Sequence, residues 1–200
     1  MSGVAGARIV ALCGANRPGS TSERAMQWMA ALLEKEGAQV TTFLGADLTF
    51  PLYDPTRADH GDARVQDFIE AVRASDALLI GSPVFHGGPP GLLKNAIDHL
   101  QPLMTDQRVY LSGRAVCCIA AGGGLPGAIS TLSALRDVIH SLRGWPTPMQ
   151  VPVNSSLAPF DEAGACVDPK LEKTMRAAAA DMLAFLGAMR RQEQPLEVAL

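Results

Sequence analysis

The hydrophobic positions of this chain change period in a regular alternation. Residues 8–13 (Arg-Ile-Val-Ala-Leu-Cys) form a short apolar run that stops at Gly14, the pattern of a strand covered on both faces. From residue 22 to 36 the period lengthens. Met26, Met29, Ala30 and Leu33 fall at i, i+3, i+4 and i+7, one stripe of an amphipathic helix that Gly37 ends. Residues 39–44 predict a second strand. After a proline-containing loop, Phe50-Pro-Leu-Tyr-Asp-Pro, the stripe Val65, Phe68, Ile69 and Val72 predicts a helix over 62–74. Residues 77–80 read as a third strand running into Gly81-Ser82-Pro83, 90–100 as a third helix, and 116–121 as a fourth strand. A helix over 129–142, a last strand over 149–153 and a closing Ala- and Leu-rich helix over 168–189 complete the pattern.

Apolar strands separated by helices imply a parallel sheet with helices on both faces. Five βα units predict a flavodoxin-like three-layer α/β sandwich, a five-stranded parallel sheet of order 2-1-3-4-5 that binds ligands at the carboxyl ends of its strands. Two hundred residues suit a single domain, expected over 1–191, with 192–200 as a loose tail. With 48% hydrophobic and 18% charged residues the chain is of ordinary globular composition, which excludes wholesale disorder, collagen and coiled coil. A net charge of −3 gives no overall attraction to nucleic acid. Residues 115–135 are uncharged, but Gly122, Gly123, Gly124, Pro126 and Gly127 interrupt them, so no membrane span is predicted. Cys13, Cys117, Cys118 and Cys166 are too few and too scattered for a disulfide framework or a zinc site, and they read as small buried residues in a reducing compartment. No secretory signal is visible, and the expected location is cytoplasmic.

Three loops at expected carboxyl ends carry the candidate chemistry. The first, Gly14-Ala-Asn-Arg-Pro-Gly-Ser-Thr-Ser-Glu23, joins a strand to a helix N-terminus, where free N–H groups, the hydroxyls of Ser20, Thr21 and Ser22, and Arg17 can surround a phosphate monoester. Ser20 and Glu23 also have the spacing of a capping box. Capping explains neither Arg17 nor three hydroxyls in a row, so the phosphate reading is favoured. Gly14 and Gly19 have P-loop spacing, but Ser20 stands where the lysine belongs. There is no G-x-G-x-x-G, and Phe43-Leu44-Gly45 offers no acid to a ribose at the end of the second strand, which excludes a Rossmann dinucleotide site. The second loop, Gly81-Ser-Pro-Val-Phe-His-Gly-Gly-Pro-Pro-Gly91, lets backbone approach a flat ring, although Phe85 alone reads as core and His86 alone as a solvated loop residue. The third, Ala121-Gly-Gly-Gly-Leu-Pro-Gly127, again offers unhindered N–H groups.

Gly14-x-x-Arg17-x-Gly19-Ser20, Pro51-Leu-Tyr-Asp54, Ser82-Pro83-Val-Phe-His-Gly87, Leu93-Lys-Asn-Ala-Ile-Asp98 and Gly122-Gly-Gly124 together resemble the NADPH-dependent FMN reductase family, over about residues 8–155. The resemblance implies FMN as cofactor and NADPH or NADH as co-substrate. The implied acceptor is a flavin, quinone, azo compound or metal oxyanion, and the implied assembly a homodimer or homotetramer. It places Ala15, Arg17, Ser20, Thr21 and Ser22 about the FMN phosphate, Pro83, Val84, Phe85, His86 and Gly87 along the ribityl chain and ring, and Gly122, Gly123 and Gly124 at the pyrimidine end. It also makes the Lys94/Asp98 helix a subunit contact. Ala15 and Ser22 depart from the family's usual Ser and Asn, and Val84, Phe85 and His86 from its common Glu, Tyr and Asn.

FMN brings the hydride chemistry itself, so no general acid or base is required of the protein, and His86 is the one titratable candidate for proton transfer beside the ring. His60, His99 and His140 have bland readings as loop and helix residues, and no metal site is predicted. The function class is therefore an FMN-dependent NAD(P)H oxidoreductase, acting on a small-molecule acceptor or supplying reduced flavin to a partner monooxygenase. The alternatives are an FMN-binding electron carrier or regulator without nicotinamide activity, and a binding module or nucleotide enzyme that uses the phosphate loop for another ligand.

Overall fold

The computed structural model describes residues 5–56 and 62–193. Its elements, in chain order, are β1 (Arg8–Cys13), α1 (Thr21–Lys35), β2 (Gln39–Phe43), α2 (Ala63–Ala74), β3 (Ala77–Pro83), α3 (Gly91–Asp98), β4 (Ala115–Gly122), α4 (Leu125–Ser141), β5 (Trp145–Pro146), β6 (Val151–Asn154) and α5 (Pro169–Glu193). All strand pairings are parallel. The order is β2-β1-β3-β4-β5, with β6 also on β4, and the register sets Leu12 beside Ile80 and Ile80 beside Cys118. The sheet is the flavodoxin-like one predicted, with six strands in place of five.

The extra strand comes from proline. The edge strand expected over 149–153 is two short pieces: β5 pairs with Ala115 and Val116, and β6 with residues 119–122. Pro146, Pro148 and Pro152 cannot donate to the ladder, so a continuous strand is broken here, and an edge position is where the break is tolerated. The helix expected from 129 instead starts at Leu125, because Pro126 fits the first turn of a helix and the Gly-Pro-Gly composition disguised that turn as loop. His60 lies outside the described residues. The tail expected to be loose from 192 begins inside α5, and residues 194–200 lie outside the described residues.

Two apolar layers cover the sheet. Met26, Met29 and Leu33 of α1 join Met175 and Met182 of α5 on one face. Phe68 and Val72 of α2, Leu93 of α3, and Leu132 and Leu135 of α4 pack on the other. At the amino end of β4, fully buried Arg114 donates to three carbonyls: Nε to Ser75 at 3.1 Å, Nη1 to Tyr110 at 2.8 Å and Nη2 to Arg73 at 2.7 Å. Those bonds tie α2 to β4 and leave the opposite, carboxyl edge to the three candidate loops.

Candidate functional site at the carboxyl edge of the sheet

The first loop is clamped before it reaches α1. Gly14 N–H donates to Gly81 O at 2.9 Å, continuing the β1–β3 ladder. A Cβ at Gly14 would stand 2.6 Å from Leu93 Cβ, and one at Gly45 would stand 2.0 Å from Ala15 O, so the backbone lies against α3 on one side and against the segment after β2 on the other. Ser20 is the N-cap of α1, and its Oγ accepts from Glu23 N–H at 3.3 Å. Only this half of the expected capping box forms, because the Ser20 N–H donates to Arg17 O at 3.3 Å. The N–H groups of Thr21 and Ser22 have no acceptor within the helix and face the end of its dipole.

The structure separates the five residues picked from this loop. Arg17 is exposed and Thr21 half-exposed, while Ser20 sits at the boundary with 8% of its surface accessible. Ser22, at 1%, turns inward, its Oγ 3.2 Å from Ser20 Oγ and 3.9 Å from Cys13 Sγ, so it supports Ser20 from beneath. Ala15 is buried and packs on Gly45. Burial pushes the Cys13 thiol up, against smaller opposing effects of hydrogen bonds with the Ala15 backbone and Ser22, and keeps it protonated.

The second and third loops are built on each other. Val84 N–H donates to Ala121 O at 3.0 Å, and the Val84 side chain fills the space a Cβ would need at Gly122 (2.8 Å) and at Gly127 (3.0 Å). Beyond this wedge, Phe85 and Gly88 exchange both backbone hydrogen bonds, at 2.9 and 3.1 Å. The two residues between them, His86 and Gly87, have φ of +53° and +81°, the signs of a type I′ turn. The tip displays Phe85, 51% accessible, and an exposed His86, with half-buried Pro83 at its base. Gly122 ends β4, Gly123 is exposed, and Gly124 caps α4, whose first turns add exposed Leu125 and Ile129.

Two contributions escaped the sequence reading. A fourth carboxyl-end loop follows β6, where Asn154 Oδ1 accepts from Ser156 N–H at 3.0 Å and Ser156 Oγ donates to Gly123 O at 2.9 Å. The strand-end rule that flagged the other loops points to Asn154-Ser-Ser as well. The second is Arg24, whose Nη1 donates to Asp161 O at 2.6 Å while Nη2 lies 3.8 Å from an ideal Cβ at Gly19, bringing another guanidinium to the first loop. The LKNAID segment holds the loop after β2. Asn95 Oδ1 accepts from Tyr53 N–H at 2.8 Å, Asn95 Nδ2 donates to Pro51 O at 3.0 Å, and His99 Nε2 is 2.9 Å from the same carbonyl. Lys94 and Asp98 form an exposed i,i+4 ion pair at 2.7 Å.

These groups make an open shelf. A depression of about 300 Å³ lined by Leu125, Asn154, Leu157 and Lys170 adjoins it. Three larger ones, about 350 Å³ beside Lys94 and Asp137, about 440 Å³ beside Arg108 and Arg143 and about 700 Å³ along Trp28 and Arg176, involve none of the three loops. Helix N–H donors and Arg17 in the first loop, glycine backbone in the third, and exposed Phe85, Leu125 and Ile129 next to that glycine backbone fit a phosphomonoester joined to a flat ring. Among the described residues no three His, Cys, Asp or Glu side chains gather as metal ligands, and no helix is long and apolar enough to cross a membrane.

Comparison with known proteins agrees with this chemistry. The model of the NADPH-dependent FMN reductase family matches residues 7–158. The FMN-dependent NADPH-azoreductase of Staphylococcus haemolyticus (strain JCSC1435) is 35% identical over 98 residues, 49% of this chain and 48% of that protein. The chain thus spans about half the length of the curated relatives it matches. Among solved structures, the apo form of an NADH:FMN oxidoreductase superposes with a TM-score of 0.68 at 23% identity, covering 88% of each chain. FerB, a flavoenzyme NAD(P)H:(acceptor) oxidoreductase from Paracoccus denitrificans, superposes with a TM-score of 0.69 at 20% identity, covering 92% of this chain and 97% of its own. At these identities the structural likeness establishes the fold.

Proposed function

The chain belongs to the NADPH-dependent FMN reductase family, and on that premise we propose that it is an FMN-dependent oxidoreductase, passing electrons from NADPH or NADH to a small-molecule acceptor. The observation that carries this reading is the convergence of the three glycine-bearing loops on one edge, the first joined to the second by the Gly14–Gly81 bond and the second to the third by Val84 between Gly122 and Gly127. FMN, when bound, supplies the hydride and electron chemistry.

The residues of the chain bind and orient. Arg17 and the N–H groups of Thr21 and Ser22 hold the phosphate, with Ser20 at the rim and Ser22 and Ala15 packed behind them. Pro83, Val84, Phe85, His86 and Gly87 line the ribityl chain and ring, and Phe85, Leu125 and Ile129 keep water from the ring face. The backbone of Gly122, Gly123 and Gly124, at the dipole end of α4, stabilises negative charge at the pyrimidine end, work that needs no ionisable side chain. The acceptor is a free flavin, with a partner monooxygenase receiving it, or a quinone or azo compound. The chain works as a homodimer or homotetramer in the cytoplasm. Leu52, 84% accessible in the loop that Asn95 pins, and Met104, 50% accessible just beyond α3, are apolar surface that a second subunit would cover.

An anaerobic visible spectrum of the FMN-loaded protein, taken before and after NADPH and then NADH, tests the reading. Rapid bleaching by either donor is expected. Bound flavin that keeps its colour would identify a carrier or regulator, and failure to bind FMN would overturn the reading of all three loops.

A further inference from the structure

Three helical hydroxyls in this chain fold back on their own helix. Ser133 Oγ donates to Ile129 O at 3.1 Å, Ser141 Oγ to Asp137 O at 2.9 Å, and Thr174 Oγ1 to Lys170 O at 2.9 Å, each reaching the carbonyl four residues earlier. Ser130, on the same helix as the first two, departs from this habit. Its Oγ donates to Gly87 O at 2.8 Å, across 43 residues of sequence, into the type I′ tip that displays Phe85 and His86.

We propose that Ser130 is a positioning residue for the FMN site, a catch that holds the 85–88 tip against α4. The inference rests on the function proposed above. The base of this loop is already immobile, since Val84 is wedged between Gly122 and Gly127 and bonded to Ala121. The tip has no such packing. Phe85 is half-exposed and His86 is exposed, and the two backbone bonds between Phe85 and Gly88 close the turn on itself without tying it to the body. Among the described residues Ser130 makes the side-chain hydrogen bond that reaches this turn. Because Ser130 lies on α4, whose N-terminus is Gly124, the catch sets the distance between the tip and the glycine turn, the two elements that embrace the ring. A pre-set tip does not have to be ordered when flavin arrives, and the saving appears as affinity.

The test compares Ser130→Ala, Ser130→Thr and Ser133→Ala. Ser133 is a control one turn further along, whose hydroxyl bonds only to its own helix. In the flavin-free protein, amide exchange of residues 85–88 is expected to quicken in Ser130→Ala alone, with an unchanged melting temperature. FMN affinity, read from quenching of flavin fluorescence, is expected to fall about three- to tenfold, the range of one hydrogen bond, and Ser130→Thr restores both. Unchanged exchange at the tip in Ser130→Ala overturns the catch, whatever happens to flavin. Faster exchange with unaltered affinity and an unaltered bound-flavin spectrum overturns the positioning role. A wild-type chain that binds no FMN, with the tip responding as expected, removes the functional reading and this role with it while leaving the contact itself established.

Discussion

At the scale of single residues, this site depends as much on where side chains are absent as on where they are present. Gly45 makes the point. It carries no chemistry, yet the chain bends so closely here that an added Cβ would lie 2.0 Å from Ala15 O and 2.7 Å from the Ala15 carbonyl carbon. Backbone cannot swing aside as a flexible side chain can, so Gly45→Ala is expected to lower stability by about 2 kcal/mol, within the range for overpacked interiors. It also pushes residues 15–17 out of place. A melting temperature equal to that of the wild type would show that the loop yields more easily than its packing implies. His86 illustrates the converse, a residue whose backbone matters more than its side chain. Its φ of +53° is a conformation that asparagine adopts readily, and its ring is exposed. His86→Asn is therefore expected to keep the turn and leave the pH profile of turnover unchanged. A profile that flattens between pH 5 and 8 would instead assign the imidazole a proton to carry.

At the scale of elements, periodicity carried most of the information. β1, β3 and β4 are short apolar runs, and each helix is a 3.6-residue stripe, because burial on two faces and on one face leave those different marks. What periodicity missed is instructive. The edge strand broke at its prolines, and α4 hid its first turn behind Gly-Leu-Pro-Gly, since the same residues that interrupt a pattern are allowed at a sheet edge and at a helix start. Ser130 and Arg24 were invisible for another reason: each reaches a loop distant in sequence, and no local spacing encodes that contact. The Asn95 clamp shows a motif whose purpose emerges only in three dimensions. In sequence it is one polar position in a short helix, but in space it pairs with both Tyr53 N–H and Pro51 O. Asn95→Ala removes both bonds, leaving His99 Nε2 on Pro51 O, and is expected to cost about 1 kcal/mol, with faster proteolytic nicking between residues 50 and 56. An unchanged cleavage rate would mean that His99 alone holds the loop.

At the scale of the whole molecule, an interior strand ties stability to pH. Cys117 and Cys118 lie side by side in β4, fully inside the sandwich, where desolvation outweighs every other influence and pushes the Cys117 thiol up to about 12 and that of Cys118 higher still. In the unfolded chain both titrate near the ordinary value of 9.0. Above pH 9 the unfolded state therefore binds fewer protons than the folded one, and stability must fall as pH rises, a loss that continues to about pH 12 for Cys117. By pH 10 each thiol contributes a loss of about 1 kcal/mol. Arg114 acts with the opposite sign, because burial, chiefly, and the nearby charge of Arg108 push its guanidinium down to about 10. Its effect begins where the comparison should stop. Urea midpoints at pH 8 and pH 10 are expected to drop markedly in the wild type and much less in a Cys117→Ala, Cys118→Ala double variant, even though the variant starts from lower stability. Equal losses in the two proteins would mean that these thiols titrate alike in the folded and unfolded chains. That result would require solvent to reach the middle of β4, the strand that holds β3 on one side and both pieces of the proline-broken edge on the other.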